Sequence, residues 1–135
     1  MKNYTVLIAG GSGLIGQNLK HHLEKLDVTV RILSRKKNSK FFWNPKQKQI
    51  DEKALDQVDV VVNLCGLSVD RRWTKKNKFE ILSSRIDSTD FLINKINQSK
   101  KNIKKYIGVS ATGFYPYDET LKTESSKQGD HSLTK

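Results

Sequence analysis

Gly10-Gly11-Ser12-Gly13-Leu14-Ile15-Gly16 decides the reading of this chain. The stretch follows a short apolar run, residues 4–9 (YTVLIA), and opens a segment in which Leu19, Leu23 and Leu26 fall at helical spacing. Strand, glycine-rich turn and helix form the context in which GxGxxG (from Gly11) or GxxGxxG (from Gly10) acquires physical meaning. An early glycine permits the tight turn. Gly13 lets the backbone approach a pyrophosphate, and Gly16 lets the helix pack closely on the strand. The start of the helix adds free N–H groups and the positive end of the helix dipole, both suited to phosphate. The competing reading is a glycine-rich turn that binds nothing.

Outward from the turn, the pattern alternates. Residues 28–33 (VTVRIL) read as a second strand, and residues 41–44 as a short third one ended by Pro45. Residues 51–57 hold about two helical turns by their apolar spacing. Residues 58–64 (VDVVVNL) read as a buried strand. Residues 74–98 read as a long amphipathic helix with Phe79, Leu82, Ile86, Thr89, Ile93 and Ile96 on one face. Residues 103–110 form the next strand, and the chain beyond is polar and irregular. Alternation of this kind predicts an α/β fold with a doubly wound, Rossmann-type parallel sheet of strand order 3-2-1-4-5. The expected organisation is a dinucleotide-binding domain over residues 1–115, then a polar tail over residues 116–135 that begins a further C-terminal region.

The end of the second strand bears on cofactor choice. Leu33-Ser34-Arg35-Lys36-Lys37 stands where an NAD-preferring protein places an acid for the ribose 2′-hydroxyl, and there is no Asp or Glu between Asp27 and Asp51. A guanidinium can grip a phosphate in a fork geometry and stack on a flat ring. The expected cofactor is therefore NADP rather than NAD. The alternative is an ordinary basic surface loop.

The formal net charge of +11 raises nucleic acid as a partner. The lysines are nevertheless dispersed: Lys36, Lys37 and Lys40; Lys75, Lys76 and Lys78; Lys100, Lys101, Lys104 and Lys105. No group interleaves aromatics as a base-stacking platform does, so a solvated basic surface without specific nucleic-acid binding is expected. No apolar run approaches the roughly 20 residues of a membrane helix, and the first residues show no signal-peptide pattern. The single cysteine, Cys65, excludes an internal disulfide, and cytoplasm is the default location. His21, His22 and His131 have no metal-ligand spacing, so no metal site is expected.

Further segments complete a family pattern. Trp43-Asn44-Pro45 and Asn63-Leu64-Cys65-Gly66 follow the glycine turn and Ser34-Arg35. Then come Arg72-Trp73-Thr74, Ser84-Arg85-Ile86 with Thr89, Ser110-Ala111-Thr112-Gly113-Phe114-Tyr115, Thr123-Glu124 and Gly129-Asp130. Over nearly its whole length the chain resembles the epimerase family of atypical extended short-chain dehydrogenases/reductases. The resemblance implies that Gly10, Gly11, Ser12, Gly13, Leu14, Ile15 and Gly16 surround the pyrophosphate. It implies that Ser34 and Arg35 face the adenosine ribose phosphate, and that Leu64, Cys65 and Gly66 line the adenine and ribose side. Arg85 would reach the cofactor from the long helix. Ser110 would stand near the nicotinamide as the candidate catalytic residue.

The same resemblance implies further strands and a substrate-binding lobe beyond this chain. Dehydrogenases of the superfamily use a tyrosine with a lysine four residues on. Here Tyr4, Tyr106, Tyr115 and Tyr117 are followed at that spacing by Ile8, Ser110, Glu119 and Leu121. The expectation is therefore an NADP-binding part of an epimerase-, dehydratase- or reductase-like protein, not catalytically complete, with an unidentified small-molecule substrate. Without a covering strand, residues 103–110 would offer an edge for self-association. Two other readings stand beside it: a non-catalytic dinucleotide-binding sensor, and a basic nucleic-acid-binding protein on the same scaffold.

Overall fold

The computed structural model describes residues 4–99, 101–110 and 112–130. Lys100, Ala111 and His131, named above, lie outside the described residues. Among the described residues, six strands and two α-helices follow in order: β1 (Thr5–Ala9), α1 (Leu14–Glu24), β2 (Thr29–Leu33), β3 (Trp43–Asn44), β4 (Gln49–Ile50), β5 (Val60–Asn63), α2 (Lys75–Gln98) and β6 (Lys105–Gly108). The main sheet has the order β2-β1-β5-β6 and is parallel throughout. β1 lies at its centre, in register with Thr29 through Leu33 on one side and Val60 through Asn63 on the other.

The pleat of β1 divides the core. Leu7 and Ala9 point to a cluster that includes Leu33, Trp43, Leu55, Val61, Phe91 and Leu92. Val6 and Ile8 point the other way, to Val62, Leu19 and Leu23. Helices thus cover both faces, α1 on one and α2 on the other, as successive crossovers on a parallel sheet require.

The expected third strand takes an altered form. Residues 41–44 meet the edge of the sheet through a single parallel bridge, Ser34 to Phe42. The chain then turns at Pro45 and returns, so that β3 and β4 form a small antiparallel hairpin, Trp43 opposite Ile50. Proline ends the strand because it lacks the N–H that a longer ladder would use. The helical turns expected over residues 51–57 form one short 3-10 helix, Glu52–Leu55.

The buried face of α2 differs from the expected one. Phe79, Leu82 and Ile86 are exposed, whereas Ile81, Ser88, Phe91 and Leu92 are buried. The covered stripe is rotated about the helix axis: Ile81, Ser88 and Leu92 recur at i, i+7 and i+11, on a face about a third of a turn from that of Phe79, Leu82 and Ile86. A 24-residue helix runs about 36 Å, more than twice the span of a five-residue strand. Within its N-terminal half Ile81 is buried, while Phe79, Leu82 and Ile86 meet solvent. Segment 112–130 has no strand or α-helix, and the Gly129 N–H donates to the Phe114 carbonyl at 2.8 Å. Among the described residues, no helix is long and apolar enough to cross a membrane, and no group of three or more His, Cys, Asp or Glu is placed to hold a metal ion.

Candidate functional site

The glycine turn sits at the C-terminal ends of β1 and β5, where ligands bind in open parallel sheets. Gly10 takes a positive φ of 79°, and a Cβ there would stand 2.9 Å from the backbone of Leu64. Only glycine brings the turn this close to the end of β5. Gly16 is buried, and a Cβ on it would approach Gly11 Cα to 2.5 Å. Helix α1 therefore lies directly against the turn. Gly13 differs from both: a Cβ there would meet only the Gly10 carbonyl oxygen, at 3.6 Å. The space above Gly13 is open, the cradle that a pyrophosphate needs.

Gly13 is also the N-cap of α1, and no side chain caps the helix. The first N–H groups of a helix have no intrahelical acceptor, so those of Leu14, Ile15 and Gly16 remain available to an anion. The first turn carries no acidic residue to compete. Leu14 and Ile15 point their side chains to solvent, so their part in the site is through the backbone.

A cavity of about 430 Å³ opens beside this turn. It is lined by Gly10, Ser12, Gly13, Ser34, Arg35, Leu64, Cys65 and Gly66, eight of the expected residues. Leu33, Leu67, the hairpin residues Trp43, Asn44, Pro45 and Lys46, and the α2 residues Ser84, Asp87 and Ser88 complete the wall. The expected residues Gly11 and Gly16 stand behind the turn, where Gly11 packs on Ile32 and Gly16 on the turn backbone. Arg85 lies over Gly66, its guanidinium carbon 2.9 Å from where a Cβ on that glycine would stand, and donates to the Ile81 carbonyl at 3.0 Å. Ser110 is exposed beyond β6 and does not line the cavity.

The turn after β5 is held by one buried amide. Asn63 donates from Nδ2 to Tyr106 Oη at 2.9 Å and to Thr89 Oγ1 at 3.1 Å, and its Oδ1 accepts the Cys65 N–H at 3.1 Å. It thereby joins β5 to β6, to α2 and to the cavity wall. Asn63→Ala leaves Tyr106 Oη and the Cys65 N–H without this partner. The expected loss is about 1–3 kcal/mol of stability. Urea unfolding of the variant measures it, and an unchanged midpoint would contradict the role. Burial pushes the Cys65 thiol up to about 11, against the opposing pull of the Arg35 charge. At neutral pH Cys65 is a neutral wall residue, and the charge of Arg35 is felt within the cavity.

The hairpin and the α2 residues were absent from the sequence-derived site. Asn44-Pro45 carried a usable signal, since Asn before Pro is a cap followed by a first helical position. Asn44 does cap the 3-10 turn Pro45–Gln47, accepting from the Gln47 N–H. Of the α2 residues, Ser84 stood beside Arg85 in the family pattern without a role of its own, and Asp87 and Ser88 carried no signal, because their approach depends on the packing of the helix over the sheet.

Comparison with known proteins agrees with the fold and gives the family. The profile of the NAD dependent epimerase/dehydratase family matches residues 6–133. An epimerase family protein of Staphylococcus aureus is 36% identical over 91% of this chain and 44% of its own length. The crystal structure of the human epimerase family protein SDR39U1 (isoform 2) with NADPH superposes with a TM-score of 0.79, at 26% identity, over 96% of this chain and 44% of that one. A nucleoside-diphosphate sugar epimerase from Corynebacterium glutamicum gives a TM-score of 0.80 at 31% identity, over 98% of this chain and 28% of that one. The chain spans less than half the length of each of these relatives.

Proposed function

We propose, from the premise that this chain belongs to the NAD dependent epimerase/dehydratase family, that it supplies the NADP-binding half of a longer epimerase- or reductase-like protein. The observation that carries the choice of NADP is Arg35, next to Ser34 on the wall of the cavity, with no acid between Asp27 and Asp51. The pyrophosphate would lie over Gly13 against the N–H groups of Leu14, Ile15 and Gly16, with adenosine between Cys65–Gly66 and the hairpin. Arg35 would meet the 2′-phosphate, the one group that distinguishes NADP from NAD. The NADPH in the human relative supports this reading. Arg85 and Ser110 would lie on the nicotinamide side, and binding of the small-molecule substrate falls to other parts of the longer protein. Among the described residues β6 pairs only with β5, and its outer edge is where a further strand or a second copy would add.

Arg35→Ala tests the reading. A charge-assisted hydrogen bond contributes about 1.5–3 kcal/mol, and an open adenosine end lets salt reduce that. NADPH affinity is expected to fall about ten- to a hundredfold, with NADH affinity nearly unchanged. Calorimetric titration of both cofactors checks it, and equal losses for the two would contradict the assignment.

A further inference from the structure

We infer that Lys46, on the β3–β4 hairpin, is a second cation of the 2′-phosphate subsite and shares the choice of NADP with Arg35. The inference rests on the NADP reading above and adds to it a residue that the glycine turn and β2 do not contain.

Lys46 and Arg35 are eleven positions apart and line the same cavity. Backbone hydrogen bonds join the segments that carry them. The Ser34 N–H donates to the Phe41 carbonyl at 3.0 Å, and the Trp43 N–H donates to the Ser34 carbonyl at 2.9 Å. The hairpin is thus bonded to the residue immediately before Arg35. Trp43 anchors it with a side chain only 2% exposed, packed in the core under the sheet. Asn44 then fixes the turn that carries Lys46. Its Oδ1 accepts the Gln47 N–H at 3.3 Å, and its Nδ2 donates to Gln47 Oε1 at 2.9 Å. Lys48, at a φ of 51°, turns the chain back into β4. A buried tryptophan, a capped turn and two backbone hydrogen bonds hold the Lys46 backbone in one place while its side chain remains exposed.

Neither Lys46 nor Arg35 has a side-chain hydrogen bond or ion pair within the described residues. Both cations are uncommitted where the cavity opens. Among the described residues Asp87 on α2 is the one carboxylate on the wall, against the two cations Arg35 and Lys46, so the lining charge is positive. Arginine offers a planar fork and lysine a compact charge on a flexible stem, a pairing suited to a phosphate dianion. NAD has only a hydroxyl at this position and gains little from either.

The test uses adenosine 2′,5′-bisphosphate and adenosine 5′-diphosphate beside NADPH and NADH, titrated against wild type, Lys46→Gln, Lys46→Arg and Arg35→Ala. Lys46→Gln is expected to weaken NADPH and adenosine 2′,5′-bisphosphate roughly three- to tenfold, with NADH and adenosine 5′-diphosphate unchanged. Lys46→Arg is expected to restore most of that loss. Asn44→Ala, which frees the turn, is expected to reproduce part of it with Lys46 still present. If Lys46→Gln binds all four ligands as wild type does while Arg35→Ala loses the 2′-phosphate ligands, Lys46 has no part and the NADP reading survives. If Lys46→Gln weakens all four equally, Lys46 serves the shared 5′-phosphates and the proposal fails. If wild type does not distinguish NADPH from NADH, which differ only at the 2′ position, both the proposal and the NADP reading fall.

Discussion

Gly13→Val is expected to weaken NADPH and NADH alike, by roughly a hundredfold or more, the equivalent of two charge-assisted hydrogen bonds to a phosphate. The side chain would enter the open space above the turn, where the protein offers only the Gly10 carbonyl at 3.6 Å. Its backbone, at φ −79° and ψ 172°, is one that valine adopts freely. Stability should therefore change by only about 1 kcal/mol, the difference between glycine and valine at an N-cap. Gly16→Val is the opposing control. Its Cβ would stand 2.5 Å from Gly11 Cα and 2.8 Å from the Gly10 oxygen, both backbone atoms that cannot move aside. About 3 kcal/mol of stability should be lost through overpacking, and binding should fail because the turn has moved. Thermal unfolding and cofactor titration of the two variants separate the roles. A folded Gly13→Val that binds NADPH normally would remove the turn from the site.

Trp43→Ala is expected to cost about 3–5 kcal/mol, the range for truncating a fully buried aromatic side chain. Trp43 belongs to the cluster that joins β1, β2, the 3-10 helix and α2, and it also seats the hairpin beside Ser34. Two readouts should therefore change together. The urea midpoint should fall, and the remaining folded protein should bind NADPH less selectively because both cations lose their frame. A loss of stability with NADPH selectivity intact would mean that the hairpin is only a support for the core.

How much of this was legible in the sequence depended on how local each constraint is. The glycine turn could be read because its requirements lie within seven residues: a left-handed φ at Gly10, a close contact at Gly16 and open space at Gly13. β1 and β5 were legible as apolar runs because a central parallel strand is covered on both faces. The hairpin was not, since β3 and β4 have two residues each and owe their place to Ser34 and to the burial of Trp43. Nor was the buried face of α2. The periodicity of Phe79, Leu82 and Ile86 is that of an amphipathic helix, but periodicity does not reveal which of two apolar stripes the sheet covers. For the same reason Asp87 and Ser88 came into the cavity wall unannounced, and Ser84, quoted beside Arg85, had no assigned place there. Eight expected residues line the cavity, and their neighbours from β3 and α2 complete the wall of this open cleft.

The most direct test of the account is the ratio of NADPH to NADH affinity for the unmodified chain, measured by calorimetry at physiological salt. Arg35 and the absence of any acid between Asp27 and Asp51 call for a preference for NADPH of about ten- to a hundredfold, the equivalent of about 1.4–2.8 kcal/mol at the 2′ position. Equal affinities, or a preference for NADH, would contradict it.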